Sequence, residues 1–157
     1  IQRNQTPETY LGWQRAQSYT TETNPKVDQD NLYQLSKPIG QDEVGLSGHW
    51  KVGPESITAT GSNSKLQLRF RASMVHLVLE PPAGEEKSTP QKITVILDGK
   101  PLDPKYWTAD MNKDGQILIS TARKYDLVDL KKTAEAHLLE ISVDQGVQAF
   151  AFTFSAE

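Results

Sequence analysis

Lys65-Leu66-Gln67-Leu68-Arg69-Phe70-Arg71-Ala72-Ser73-Met74-Val75-His76-Leu77-Val78-Leu79-Glu80 carries two alternating runs back to back. Successive side chains of an extended chain point to opposite sides, so Leu66, Leu68 and Phe70 share one face while Gln67, Arg69 and Arg71 share the other. Ser73 interrupts the pattern, and Val75, Leu77 and Leu79 then resume it against His76, Val78 and Glu80. Each run reads as a strand with one core face, and the two are read as neighbouring strands.

The same period continues downstream. Ile93, Val95 and Leu97 alternate up to the tight-turn pair Asp98-Gly99, and Asn112-Lys113-Asp114-Gly115 signals a second hairpin leading into Ile117 and Ile119. Between Glu80 and Ile93, Gly84 to Pro90 reads as a charged loop. Ala136 to Val143 and Val147 to Phe154, joined by Asp144-Gln145-Gly146, read as a last strand pair. In the second of these, Phe150, Phe152 and Phe154 are expected inside in preference to Val147, Ala149 and Ala151. Many short strands separated by turn signals predict an antiparallel β-sandwich rather than a helical or doubly wound fold. The one helical turn considered in this half lies within Tyr125 to Ala136.

Upstream the character differs. Residues 20–43 are polar, with Asn24-Pro25, Lys37-Pro38 and Ile39-Gly40 as punctuation, and read as a surface arm with little regular structure that wraps the sandwich. Before it, Thr6 can cap a short helical turn with Pro7 at its first position, Glu8 at its positive end and Gly12 closing it. Residues 1–19 are therefore expected to be a connector, and residues 20–157 the sandwich module. The chain opens at Ile1 without a signal-peptide pattern, so it is read as a processed or trimmed piece.

Composition narrows the function. Lys+Arg 17 against Asp+Glu 20 gives a net charge of −3, without the basic footprint that a phosphate backbone requires, so nucleic acid is excluded as an expected partner. No run approaches the roughly 18 consecutive apolar residues of a membrane span. With no cysteine in the chain, thiol redox chemistry, thiolate metal sites and disulfides are all ruled out for it. The three histidines show no metal-ligand spacing, and no Gly-x-Ser-x-Gly elbow occurs, so the module by itself is read as non-catalytic.

Read in order, TPETYLGWQRA (6–16), LSGHWKVGPESI (46–57), LQLRFRA (66–72), VHLVLEP (75–81), VILDGKP (95–101), RKYDLVDL (123–130) and GVQAFAFTF (146–154) resemble one family. It is the carbohydrate-binding-module-like C-terminal domain that follows a thioredoxin-like domain in DipZ-type thiol:disulfide interchange proteins. The resemblance implies a jelly-roll β-sandwich like the galactose-binding modules, on the periplasmic or extracytoplasmic side of a bacterial membrane. It also implies an upstream thioredoxin-like domain as partner, with residues 6–16 as the hinge anchored by Tyr10 and Trp13.

Under that resemblance the expected function is binding of a carbohydrate or cell-envelope ligand in the service of a thiol:disulfide oxidoreductase. The alternative is an interaction domain that docks the redox domain or its substrate without sugar. Sugars are held by aromatic faces beside planar polar groups, so the candidate ligand residues are Tyr106, Trp107, Trp50, Arg69, Arg71, His76, Arg123 and Tyr125. Each has a structural reading beside the functional one. Trp50 suits a core position, Tyr106-Trp107 an edge staple, and Arg123, Tyr125 and Asp126 a hydrogen-bond cluster. Arg69 and Arg71 suit a solvated face, or with His76 a cationic strip for an acidic ligand. Asp110, Asn112 and Asp114 match the first half of a calcium loop, but Thr121 stands where the closing Glu belongs, so Ca²⁺ is a secondary expectation and no other cofactor is expected.

Overall fold

The alternation around Phe70 is realised in full in the computed structural model, which describes residues 5–82, 90–132 and 134–156. The strands are β1 (Thr9–Tyr10), β2 (Asp30–Tyr33), β3 (Val44–Val52), β4 (Ile57–Ala59), β5 (Ser64–Ala72), β6 (Met74–Glu80), β7 (Gln91–Leu97), β8 (Lys100–Pro101), β9 (Gln116–Ile119), β10 (Arg123–Asp129), β11 (Glu135–Val143) and β12 (Gln148–Ser155). One sheet runs β10-β6-β12-β4-β3-β2, with β1 beside β12; the other runs β3-β5-β11-β7, with β8 and β9 on the outer edge of β7. All strand pairs are antiparallel, and Leu66, Leu68 and Phe70 from one sheet meet Val75, Leu77 and Leu79 from the other in a common core. This is the expected jelly-roll sandwich.

β3 belongs to both layers. Its first half, Val44–Ser47, pairs with β5, and its second half pairs with β2 and β4 in the other sheet. The corner falls at Gly48, whose φ is +80 and where a Cβ would lie 2.2 Å from the Asn63 carbonyl oxygen. Only glycine fits a left-handed backbone pressed that closely on another strand. Just past the corner, Trp50 is fully buried and donates its indole N–H to the carbonyls of Ser47 (2.9 Å) and Lys65 (3.2 Å).

Several pairings differ from those expected. β5 and β6 are consecutive but lie in opposite sheets, with the chain crossing at the buried Ser73. β11 and β12 likewise do not pair; Asp144-Gln145-Gly146 carries the chain across the sandwich. An alternating pattern requires an apolar partner layer, and the layer opposite satisfies it as well as a neighbour in the same sheet. The Asp98-Gly99 turn does form a two-residue hairpin, with both residues at positive φ. The charged loop expected from Gly84 to Pro90 lies outside the described residues except at Pro90.

In β12 each face assignment is half right. The register against β6 shifts between Ala149 and Phe152, so one extra residue on β12 inverts the alternation. Val147 and Ala149 face inward before the bulge and Phe152 after it, with Phe154 packed at the core margin and Phe150 half-exposed. No helical turn occurs in 125–136 among the described residues; the segment from Arg123 to Asp129 is strand β10.

The N-terminal stretch is extended as well. Thr6 does not cap a helix: its backbone N–H donates to the Arg71 carbonyl (2.8 Å), its hydroxyl donates to Asp42 (2.7 Å) and it accepts from the Arg71 N–H (2.8 Å). Thr9–Tyr10 then pairs with Ala151 and Phe152, and Leu11 is fully buried. Trp13, expected to anchor the segment, is instead 40% exposed, with its indole N–H on Asp28. The smaller Leu11 takes the anchoring place because β1 directs it inward. Within 20–43, Asp30–Tyr33 forms a strand on β3 that the polar composition concealed, and Thr20, Thr23, Tyr33 and Ile39 are buried.

Candidate functional site

The segment between β8 and β9 lines one hollow of the surface. Asp103 caps a 3-10 turn, Pro104–Tyr106, by accepting from the Lys105 N–H (3.1 Å), and Pro104 supplies the preset φ of its first position. The turn delivers Tyr106 half-buried at the rim of an open hollow of about 690 Å³. Lys105 Nζ stands 5.0 Å and Lys132 Nζ 5.9 Å from the Tyr106 ring centroid, within cation–π range. Asp98, Lys100, Leu102, Asp103 and His137 also line the hollow.

Asp98 and His137 form a pair at the hollow's edge. His137 Nδ1 lies 2.6 Å from Asp98 Oδ2, and the Leu138 N–H donates to Asp98 Oδ1 at 2.9 Å. Partial burial pushes the Asp98 carboxyl up, but the hydrogen bonds from His137 and Leu138 and the charges of His137 and Arg69 outweigh it and hold it below the usual aspartate range. A carboxylate that stays charged beside an aromatic face is a group able to accept hydrogen bonds from ligand hydroxyls.

Trp107 sits differently from Tyr106. Its indole N–H donates to the Leu102 carbonyl (3.0 Å), and its ring lies against Gly115, where a Cβ would come 2.7 Å from Cζ2. It staples the 112–115 turn to the sandwich and also borders the hollow. The remaining sequence candidates disperse. Trp50 is buried in the core and presents no surface to a ligand. Tyr125 is buried, with its hydroxyl donating to the Thr121 carbonyl. Arg123 stacks 3.7 Å over Tyr125 and bonds Asp110 at 2.8 Å, so the expected hydrogen-bond cluster forms. Arg69 donates to the Ile39 carbonyl from one sheet, whereas His76 belongs to the other, so the cationic strip does not assemble.

The calcium-like string folds as a hairpin turn. Asp110 spends its oxygens on Arg123 and on the Asp126 N–H (2.7 Å), while Asn112 Oδ1 accepts from the amides of Asp114 and Gln116. Among the described residues no group of three or more His, Asp or Glu is placed to hold a metal ion. Asp98, Asp103 and His137 were not singled out from the sequence. Asp98 was legible only as a turn residue, and the 39 positions separating it from His137 hid the pair.

A second, smaller hollow of about 300 Å³ lies over β1, lined by Tyr10, Gln14, Arg15, Glu55 and Phe150 among others. The Arg15 guanidinium stacks 3.8 Å above the Tyr10 ring, and the Tyr10 hydroxyl bonds Glu8.

The two antiparallel sheets packed on one core define a jelly-roll β-sandwich domain. A family two carbohydrate esterase from Cellvibrio japonicus shares this fold, with a TM-score of 0.54 at 14% identity over 74% of this chain and 32% of that one. The chain belongs to the thioredoxin-like C-terminal domain family, which matches residues 6–155. A family two carbohydrate esterase from Clostridium thermocellum in complex with cellohexaose aligns at a TM-score of 0.45 and 16% identity over 65% of this chain and 27% of that one. A two-domain esterase active on acetylated mannans aligns at 0.43 and 14% over 92% and 41%. The chain thus spans less than half of each of these proteins. No curated protein matches the sequence.

Proposed function

We propose that this domain is a carbohydrate- or cell-envelope-binding module that accompanies a thioredoxin-like thiol:disulfide oxidoreductase on the extracytoplasmic side of the membrane, with its ligand seated against Tyr106. The carrying observation is the Tyr106 ring at the rim of the 690 Å³ hollow, beside the carboxylates of Asp98 and Asp103. A pyranose packs its C–H face on such a ring while its hydroxyls meet the carboxylates and Lys100. Family membership supports the association with a thioredoxin-like domain, and this chain, which has no cysteine, would leave thiol chemistry to that domain.

A glycan array followed by titration calorimetry tests the reading. The expected result is binding of a wall or capsular glycan that Tyr106→Ala abolishes while the β-sheet circular dichroism spectrum is retained. No heat with any wall or capsular glycan at millimolar concentration would sink it.

The second reading, a domain that docks the redox domain or its substrate, draws on the hollow at Tyr10 and Phe150, which adjoins the N-terminal strand. Its sign would be NMR shifts clustered at Tyr10, Arg15 and Phe150, and none at Tyr106, on titration with the thioredoxin-like domain.

A further inference from the structure

The binding reading gives no task to a polar cluster on the outer face of the first sheet. His76 alternates with the core residues Val75 and Leu77, so it points outward, yet it is only 5% exposed between β10 and β12. Its Nδ1 lies 2.7 Å from Asp126 Oδ1, and its Nε2 lies 2.7 Å from Ser155 Oγ. An ionised carboxylate only accepts hydrogen bonds, so Nδ1 carries the proton. In the neutral imidazole Nε2 is then the acceptor, and the Ser155 hydroxyl donates to it.

Asp126 is itself held in place. Its N–H donates to Asp110 Oδ2 (2.7 Å), its carbonyl accepts from the Thr108 hydroxyl (2.7 Å), and Asp110 is fixed by Arg123 (2.8 Å). Ser155, at the end of β12, is only half-buried. A hydroxyl, an imidazole with the acceptor nitrogen toward it and a carboxylate behind the imidazole are the arrangement that activates serine for acyl transfer.

We propose that Ser155, His76 and Asp126 form an acyl-transfer site acting on small carboxylic esters. Ser155 Oγ attacks the ester carbonyl carbon while its proton passes to His76 Nε2. As the C–O bond to the alcohol breaks, the imidazolium returns that proton to the departing oxygen, leaving an acyl ester on Ser155. Water then adds to the acyl carbon, giving its proton to His76, and the carboxylic acid leaves as the Ser155 hydroxyl is restored. Asp126 is a positioning residue that keeps Nε2 as the acceptor. This site does not depend on the carbohydrate-binding reading.

The test combines covalent labelling with turnover. A fluorophosphonate probe should add once to the chain, at Ser155 by peptide mapping, and not to Ser155→Ala. The wild type should hydrolyse p-nitrophenyl acetate, and His76→Asn should lower that rate by about 100-fold or more. Asp126→Asn should lower kcat more than KM and displace the acid limb of the pH–rate profile. Ser155→Ala removes one oxygen from a half-buried position and keeps the fold, so it decides the matter even where His76→Asn unfolds. Absence of the Ser155 adduct, or acetate hydrolysis in Ser155→Ala equal to that of the wild type, overturns the proposal.

Discussion

Asp98 and Asp110 illustrate how much one side chain's surroundings decide. For Asp110, partial burial favours the neutral form, but the hydrogen bond and charge of Arg123 and the Asp126 N–H prevail and hold the carboxyl below its ordinary range. Both groups titrate near the ordinary aspartate value of about 3.9 when unfolded and lower when folded. The folded state therefore binds fewer protons in that window, and the stability these groups add is complete above it and lost as pH falls through the folded values. The difference in melting temperature between wild type and Asp110→Asn, or Asp98→Asn, should shrink as pH is lowered from about 7 to about 3. Trp50 makes the opposite point. Its position after Gly48-His49 favoured core while its residue type kept it a ligand candidate, and burial with two carbonyl partners decides for core. Trp50→Phe should cost about 1–3 kcal/mol in chemical denaturation, because the Ser47 and Lys65 carbonyls lose their shared donor.

Among the elements, β1 and the β3 corner carry the clearest consequences. Leu11 is fully buried at the end of β1 whereas Trp13 is exposed. Leu11→Ala should therefore destabilise the domain by about 2–5 kcal/mol, and Trp13→Ala by less than about 1 kcal/mol, in urea unfolding. At the corner, Gly48→Ala must place a methyl group against the Asn63 carbonyl and hold a non-glycine residue at positive φ. Strain of about 1–3 kcal/mol from the backbone alone should appear as a lowered midpoint, with the steric contact adding to it. Strand existence was readable wherever alternation was strict, as in β5, β6 and β7. It was not readable in β2, where Asp30-Asn31-Leu32-Tyr33 lacks an apolar period and is held by pairing to β3, nor across the β12 bulge, where one added residue exchanges the faces.

At the scale of the whole molecule, Thr108 and Asp110 join the 108–116 segment to β10, while Asn112 Oδ1 is used within the turn. Millimolar Ca²⁺ should accordingly leave the melting temperature unchanged relative to chelator, since an ion specific to the folded state would raise it. By itself the sequence determined the class of fold, the core-facing residues of the regular strands, the Asp98-Gly99 turn and the absence of thiol chemistry. These follow from local rules: side-chain period, turn stereochemistry and composition. Only the tertiary structure decided which strands share a sheet, because an apolar face is equally satisfied by a neighbour or by the opposite layer. It alone brought Asp98 to His137, and Ser155 and Asp126 to His76, since pairs 39, 50 and 79 residues apart leave no periodic trace in the chain.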